Sequence, residues 1–339
     1  MDAKITKLRL SRMLSYDWLK IIGAAAAAIM VWVLIFTMTA TRITSAQTFT
    51  VHNYLGNISL TADFSKAYSA AYKNKVFSGE VLETGVVDLA SNGEYASQVL
   101  EARVATDEGD VMFVSQQPNV KTAYTVEKTN ENGEKVKETL YERTYLESFL
   151  GGYRYRLHSL ERGNANSFFT QMENYLNCYY PAGYESGENL NEKLAEEEFL
   201  ARIKRTKDKR YKKQSQIDKG IQEEIERIQK YRTALISFYD YLDKGVVSLT
   251  KTVYTDKESG ETIFEGYYSI NLCPDTKTMG GLSSLVGYRT TYEVDGKEEV
   301  VVSAKDMNIC IFDMNGKEEA FRYEALLYIT HLIDSVITK

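Results

Sequence analysis

Charged residues interrupt the apolar positions through most of the chain, but one stretch near its start carries no charge. From Ile21 to Thr41 the sequence reads IIGAAAAAIMVWVLIFTMTAT. At 1.5 Å per residue, a helix of this length spans about 31 Å, which matches the hydrocarbon core of a bilayer. The pattern therefore predicts a transmembrane helix at residues 21–41, preceded by an N-terminal segment at residues 1–20.

The charges beside this segment predict its orientation. The preceding segment holds five basic residues against Asp2 and Asp17, whereas the following side offers Arg42 first. By the positive-inside rule the N-terminus lies in the cytoplasm and the remainder is exported to the cell exterior. A cleaved secretory signal is the alternative, because residues 44–46 (TSA) resemble a small-residue cleavage site after an apolar run.

Beyond the apolar segment, strand and helix patterns alternate. Residues 48–54 (TFTVHNY) form a strand-like run, and the next segment repeats apolar residues with the period of one helix face, at Phe64, Ala67, Tyr68, Ala71 and Tyr72. A second extended run covers residues 81–89, and Ser91 with Glu94 gives a capping-box pattern before a second helix. Residues 112–114 form a short apolar strand. This alternation predicts a parallel sheet covered on both faces.

The later part of the chain mixes hairpins with helices. Asn-Gly or Asp-Gly pairs at residues 132–133, 295–296 and 315–316 separate strand-like runs and predict tight turns. Six apolar residues from Ile217 to Leu242 recur at spacings of three, four or seven, which predicts a long amphipathic helix. An apolar repeat at residues 325–337 predicts a C-terminal helix.

The balance of basic and acidic residues bears on the partners of the chain. The chain has 41 Lys and Arg against 47 Asp and Glu. Nucleic-acid binding, which needs clustered basic side chains, is disfavoured. Removing residues 1–41 leaves 36 basic against 45 acidic residues, so the exported part is acidic.

One basic run departs from this balance. Residues 202–213 (RIKRTKDKRYKK) hold eight basic residues and one acid. They form either a patch for an acidic partner or anionic lipid headgroups, or a solvated helix face offset by the acids at residues 196–198 and 223–226.

Catalytic motifs are missing from the sequence. It has no nucleophile elbow, P-loop, dinucleotide-binding glycine pattern or calcium loop, and its three His are too far apart for an HExxH zinc site. The sequence thus predicts neither an enzyme nor a cofactor or metal. Cys273 and Cys310 lie on predicted strands and either pair in an oxidising compartment, leaving Cys178 odd, or stay reduced.

Two regions carry a resemblance to a known family. The order FTVHNYLG, a helix and then GVVDLASNGEYASQVLEARVATDEGDVMFVS, within residues 48–115, resembles the N-terminal lobe of extracellular solute-binding proteins of bacterial ABC transporters, the type II periplasmic-binding fold. GYYSINLCPDT at residues 266–276 resembles the segment in which such proteins return to the first lobe. A strand followed by a closing C-terminal helix is also typical of the family, and with the C-terminal part through residue 339 the resemblance covers about half of the chain.

The resemblance implies an α/β, periplasmic-binding-protein-like ectodomain with a helical middle region. Residues 46–118 and 266–339 would form the first lobe, and residues 119–265 an abbreviated second lobe. A ligand cleft would lie at the carboxyl ends of the strands. The polar side chains expected there are His52, Asn53 and Tyr54 after the first strand, Ser91 and Asn92 before the second helix, and Ser115, Gln116 and Gln117 after the third strand.

Two functions follow from this resemblance. One is a membrane-anchored solute-binding component that presents a sugar or oligosaccharide to an ABC permease for carbohydrate transport. The other is a non-transporting interaction or scaffold module that keeps the fold without a ligand and contacts a permease or another membrane protein. The abbreviated second lobe favours the interaction module, because closure around a ligand needs two lobes.

Overall fold

The computed structural model divides the chain into two compact units, residues 1–42 and 43–339. It describes residues 7–8, 11, 18–39, 43, 47–54, 58–129, 135–256, 259–274, 279–294, 297–313 and 319–337. The first unit contains helix α1 (Trp18–Thr39), which is long and apolar enough to cross a membrane. A membrane anchor and a signal sequence both meet this description. The helix begins before the predicted segment because Lys20, which interrupts the apolar run, is itself a good helix former.

The second unit combines eleven strands and eight α-helices within the residues that the structure describes. Its strands are β1 (Thr48–Asn53), β2 (Ile58–Leu60), β3 (Glu83–Asp88), β4 (Val111–Ser115), β5 (Ala123–Thr129), β6 (Lys135–Tyr141), β7 (Ser248–Thr255), β8 (Thr262–Asn271), β9 (Val286–Val294), β10 (Lys297–Ser303) and β11 (Met307–Ile311). Its helices are α2 (Ala62–Lys73), α3 (Ala96–Ala105), α4 (Tyr145–Tyr153), α5 (Phe168–Tyr179), α6 (Glu192–Thr206), α7 (Gln214–Asp243), α8 (Met279–Ser283) and α9 (Glu324–Leu332). A mixed α/β architecture is therefore confirmed.

The central sheet has six strands in the order β3-β1-β4-β11-β8-β7. Strand β1 pairs in parallel with both β3 and β4, as the alternation of strands and helices predicts. The other half of the sheet is antiparallel, since β11 runs against β4 and β8, and β7 runs against β8. The sheet is therefore mixed rather than wholly parallel.

Apolar side chains on the two faces of this sheet belong to different core clusters. On β4, Val111 and Phe113 belong to the larger cluster and Met112 and Val114 to the smaller one. This alternation follows from the two-residue period of a strand. Helices α2, α5, α7 and α9 contribute to the larger cluster, whereas α3 and α4 contribute to the smaller one. Both faces are covered, as predicted.

The long amphipathic helix predicted from residues 217–242 is α7. Its apolar stripe is buried at Ile225, Ile228 and Leu235. These side chains join the same cluster as Phe49 and Ile309 of the central sheet. The predicted second lobe therefore shares a core with the predicted first lobe, within the single unit 43–339. The lobe boundaries at residues 118 and 266 stay predictions.

Two predicted hairpins are confirmed. Strands β5 and β6 pair with each other, as do β9 and β10. The turn pairs at residues 132–133, 295–296 and 315–316 lie outside the described residues, as does the TSA segment at residues 44–46.

One local prediction is wrong, and one of the two alternatives left open for the cysteines is not seen. The capping box at Ser91 does not start a helix, since Ser91 lies inside a 3-10 segment at Leu89–Tyr95 and α3 begins only at Ala96. The 3-10 segment is instead capped by Asp88, whose side chain accepts a hydrogen bond from the Ala90 N–H.

No disulfide joins any two of Cys178, Cys273 and Cys310. Cys273 and Cys310 belong to different core clusters and are both buried. The two thiols therefore do not meet.

Candidate functional site

The carboxyl ends of β1 and β4 hold most of the predicted ligand-binding residues. Asn53 is fully buried, and its Nδ2 donates to the Ile58 carbonyl at 3.2 Å and to Asp88 Oδ1 at 2.7 Å. Its Oδ1 accepts from the Leu89 N–H at 2.5 Å. The amide therefore joins β1 to the segments that follow β1 and β3.

Tyr54 is a core residue. Its ring packs on Phe149 and Tyr145 of α4, with centroid distances of 5.0 and 6.4 Å. Burial, reinforced by Tyr153 and Tyr145, raises the pKa of Tyr54 to about 12. Its aromatic face is used inside the protein.

The residues after β4 also contact other parts of the fold. Ser115 is fully buried and its Oγ accepts from the Gln117 N–H at 3.4 Å, while Gln116 is half-buried. The Gln117 Nε2 donates to Tyr288 Oη at 2.9 Å. The backbones of Ser91 and Asn92 lie in the 3-10 segment, and their side chains lie outside what the structure describes. The structure thus groups Asn53, Tyr54 and Ser115 near one strand edge, but as internal contacts.

The β5–β6 hairpin is the most exposed pair of strands among the described residues. Its register places Tyr124, Val126, Val136 and Leu140 on one face, because residues directly opposite in a ladder point the same way. Lys128 and Glu138 share this face and form an ion pair with each other. None of these four side chains joins either core cluster. Tyr124 is 45% exposed and Val136 is 47% exposed. We call these four residues the hairpin apolar face.

The opposite face of the hairpin is mainly polar, with Ala123 opposite Tyr141 at its base. It presents Thr125 opposite Thr139 and Glu127 opposite Lys137. An isolated two-stranded hairpin is marginally stable in water and normally needs a further strand or helix against its apolar side. The hairpin apolar face is therefore an incomplete packing surface.

The base of the hairpin is held firmly. The Thr122 Oγ1 donates to the Asn119 carbonyl at 2.7 Å, and the Glu142 N–H donates to the Thr122 carbonyl at 3.1 Å. Arg143 lies over the Tyr254 ring at 3.6 Å and donates from Nη2 to the Thr255 carbonyl. These contacts fix the direction in which the hairpin leaves the unit.

A separate cleft of about 390 Å³ lies near the amino ends of β1 and β3. Thr50, Glu83, Arg103 and Gly109 are among its lining residues. His52 lies directly behind Gly109, since a Cβ built on Gly109 would sit 2.5 Å from the His52 Cε1. The cleft therefore lies toward the opposite strand ends from the predicted one.

His52 is completely buried, and neither ring nitrogen has a hydrogen-bond partner among the described residues. Burial, followed by the positive charge of Arg103, lowers the pKa of His52 to about 4. The ring is therefore neutral at physiological pH.

The basic run at residues 202–213 divides into inward and outward side chains. Arg202 donates to Glu224 Oε2 at 2.6 Å and to Glu80 Oε1 at 3.3 Å, and all three side chains are nearly buried. Arg210 pairs with Glu80 and with Asp208. Two of the eight basic residues are therefore structural, which neither interpretation of the sequence foresaw.

No group of three or more His, Cys, Asp or Glu side chains within the described ranges is arranged to hold a metal ion. No family model, curated protein or solved structure matches this chain.

Two features of the structure were not predicted from the sequence: the exposure of the hairpin and the buried ion pairs of the basic run. The Asn-Gly pair at residues 132–133 predicts the hairpin but not its exposure, although the alternation of Tyr124 and Val126 with polar residues is a readable signal. The partners Glu80 and Arg202 are 122 residues apart, so no local pattern joins them.

Proposed function

We propose that this chain is a membrane-anchored, extracytoplasmic interaction module that keeps a solute-binding-like fold without transporting a ligand. Helix α1 would serve as an uncleaved anchor with a cytoplasmic N-terminus, in agreement with the basic residues that precede it. The module would have no enzymatic role.

The fold relationship rests on the first half of the sheet. Parallel strands in the order β3-β1-β4, with antiparallel β11 beside β4, are compatible with the first lobe of the type II periplasmic-binding fold. The internal contacts of Asn53 and Gln117 argue against ligand binding at the strand ends. This favours the interaction module over the transport component.

The hairpin apolar face is the observation that carries the proposal. It presents four apolar side chains on a hairpin whose base is fixed, outside both core clusters. A strand or helix of a second protein laid on this face would supply the missing packing. The partner is therefore a membrane or envelope protein with an exposed apolar segment.

Site-specific photocrosslinking in cells tests this proposal. A photoreactive amino acid at Val136 lies on the hairpin apolar face, and the same residue at Lys137 lies on the opposite face as a matched control. We expect a discrete protein adduct from position 136 and little from position 137. Equal yields from both positions, or no adduct from either, would argue against the proposal.

A second candidate function is solute binding in the cleft beside His52. The observation that favours it is a buried imidazole with two nitrogens that lack a partner among the described residues, next to a cleft of about 390 Å³. A thermal-shift screen with sugars, oligosaccharides, amino acids and peptides tests it, because a ligand that binds only the native state raises the melting temperature. A saturable shift that is lost in Arg103→Ala would establish solute binding, and no shift would dismiss it.

A further inference from the structure

The end of α6 and the turn that joins it to α7 present a group of lysines to solvent. Lys204, Lys207, Lys209, Lys212 and Lys213 are all exposed, and within the described residues none of them forms an ion pair. We call these five residues the lysine patch. It is the densest group of outward cations in the described part of an otherwise acidic unit.

Three side chains between these lysines, Asp208, Arg210 and Tyr211, are half-buried and fix the turn. Asp208 accepts from Arg210 at 2.7 Å, and Tyr211 packs edge-on against Phe199 with centroids 5.0 Å apart. The Tyr211 Oη donates to Glu80 Oε1 at 3.3 Å. The single acid of the run is therefore turned toward Arg210 and does not neutralise the lysine patch.

The backbone of the turn is held as well. Lys207 ends α6 in the left-handed conformation, with φ of 52°. The Lys213 N–H donates to Gln216 Oε1 at 2.9 Å at the start of α7. The lysine patch is thus a preorganised array, which loses less backbone freedom on binding than a mobile loop would.

We infer that the lysine patch binds anionic lipid headgroups and turns this side of the unit toward the membrane. The inference rests on the proposed anchor, because seven residues between Thr39 and Gln47 reach about 25 Å at most and keep an anchored unit near the bilayer surface. Clusters of four to eight Lys and Arg side chains are typical of binding to anionic lipid headgroups.

The charge balance of the unit favours a surface over a small ligand. An acidic unit is repelled by an anionic bilayer everywhere except at a local basic group, so the repulsion and the attraction both select one orientation. The patch is open to solvent and offers point charges rather than a pocket. These properties fit an extended array of headgroup phosphates.

Vesicle sedimentation of residues 43–339, which form a compact unit with their own core, tests the inference. The probes are vesicles of phosphatidylcholine alone and of phosphatidylcholine mixed with phosphatidylglycerol. We expect binding to the mixed vesicles only, at low ionic strength, and release at about 1 M salt, where the screening length is about 3 Å. Equal binding to both kinds of vesicle, or to neither, would overturn the inference.

A triple variant identifies the residues responsible. Lys207→Gln, Lys209→Gln and Lys212→Gln together should weaken binding by about 100-fold, since each removes a cation worth about fivefold in affinity at the surface. The control changes Lys66, Lys193 and Lys244 to Gln. It loses the same charge at exposed sites that pair with neighbouring acids. Equal losses in both variants would show that only net charge matters and would contradict the inference.

Two further readouts distinguish lipid binding from a free-phosphate site and from a loss of folding. Sodium phosphate that displaces the protein more strongly than sodium chloride of the same ionic strength would indicate a free-phosphate site and overturn the inference. The melting temperature of the triple variant should equal that of the original chain, because its lysine side chains make no ion pair among the described residues. Crosslinking at Val136 does not depend on this patch, so failure here leaves the proposed interaction module standing.

Discussion

At the scale of single residues, His52 makes the stability of the fold depend on pH. Its imidazole is buried among apolar neighbours such as Phe312, whose ring lies edge-on with centroids 6.0 Å apart. Protonation inside the fold is unfavourable, so the folded protein holds the ring neutral with a pKa of about 4. In the unfolded chain the pKa returns to its ordinary value near 6.5.

The sign of the pH effect follows from these two values. Between pH 6.5 and about 4, the unfolded chain binds a proton that the folded protein does not. Stability is therefore fully present above pH 6.5 and falls as the pH is lowered through this window. His158, whose pKa burial also lowers to about 4, contributes in the same direction.

We predict that His52→Leu removes part of this pH dependence. At pH 5 the original chain should lose about 2 kcal/mol of unfolding free energy through His52, relative to pH 7.5, and the variant should lose less by that amount. Urea unfolding at both values of pH measures the difference between the two proteins. If both proteins lost the same unfolding free energy between pH 7.5 and pH 5, His52 would be charged or solvated in the folded state.

At the scale of elements, the packing of α6 on α7 depends on a close approach at Gly220. A Cβ at this position would lie 2.3 Å from the Phe199 Cζ and 2.7 Å from the Tyr211 Cε1. Phe199 is buried, so its ring cannot simply rotate into solvent. Glycine is required here by space rather than by backbone conformation.

We predict that Gly220→Ala lowers the unfolding free energy by up to about 2 kcal/mol, because an overpacking cost of about 1–3 kcal/mol outweighs the gain of about 1 kcal/mol in helix propensity. Gly152→Ala in α4 is the matched control, since a Cβ there has nothing within 4 Å. It should be neutral or stabilising by up to about 1 kcal/mol. Denaturant unfolding of both variants gives the comparison. A stabilised Gly220→Ala would show that α6 and α7 lie further apart.

The periodicity of the sequence predicts where helices and strands lie better than it predicts which residues they contact. The spacing from Ile217 to Leu242 predicts α7, because burying one stripe of a helix leaves a local period. Hairpin β5–β6 likewise follows from local turn chemistry. Nothing local distinguishes Arg202, which is buried against Glu224, from the exposed lysines that follow it.

The candidate site was harder to predict for the same reason. Asn53 has a side chain of the kind that binds ligands, yet its amide forms hydrogen bonds with Asp88 and with the backbone of the next segment. An amide at a strand end satisfies either a ligand or the fold, and only tertiary geometry decides between the two uses. The exposure of Val136 depends on which elements fail to cover it, which no local pattern records.

At the scale of the whole molecule, the larger core cluster joins regions that the sequence divides into two lobes. Phe49 of β1 and Tyr328 of α9 pack together in this cluster, with ring centroids 5.5 Å apart, and Tyr231 of α7 belongs to it too. The Tyr231 Oη donates to the buried Glu324 of α9 at 2.8 Å. The middle region is therefore packed on the C-terminal region through both apolar and polar contacts.

We predict that residues 43–339 unfold in one cooperative transition. Two lobes with separate cores would melt separately, whereas elements that share a core lose their packing together.

Glu224→Gln in the middle region breaks the buried pair with Arg202 and should cost about 3 kcal/mol of unfolding free energy. Val111→Ala in the central sheet should cost about 2 kcal/mol through a cavity. Calorimetry should show both variants lowering the same single transition. If Glu224→Gln shifted one transition and Val111→Ala another, the core would be divided. That result would favour two separate lobes, which could close on a ligand.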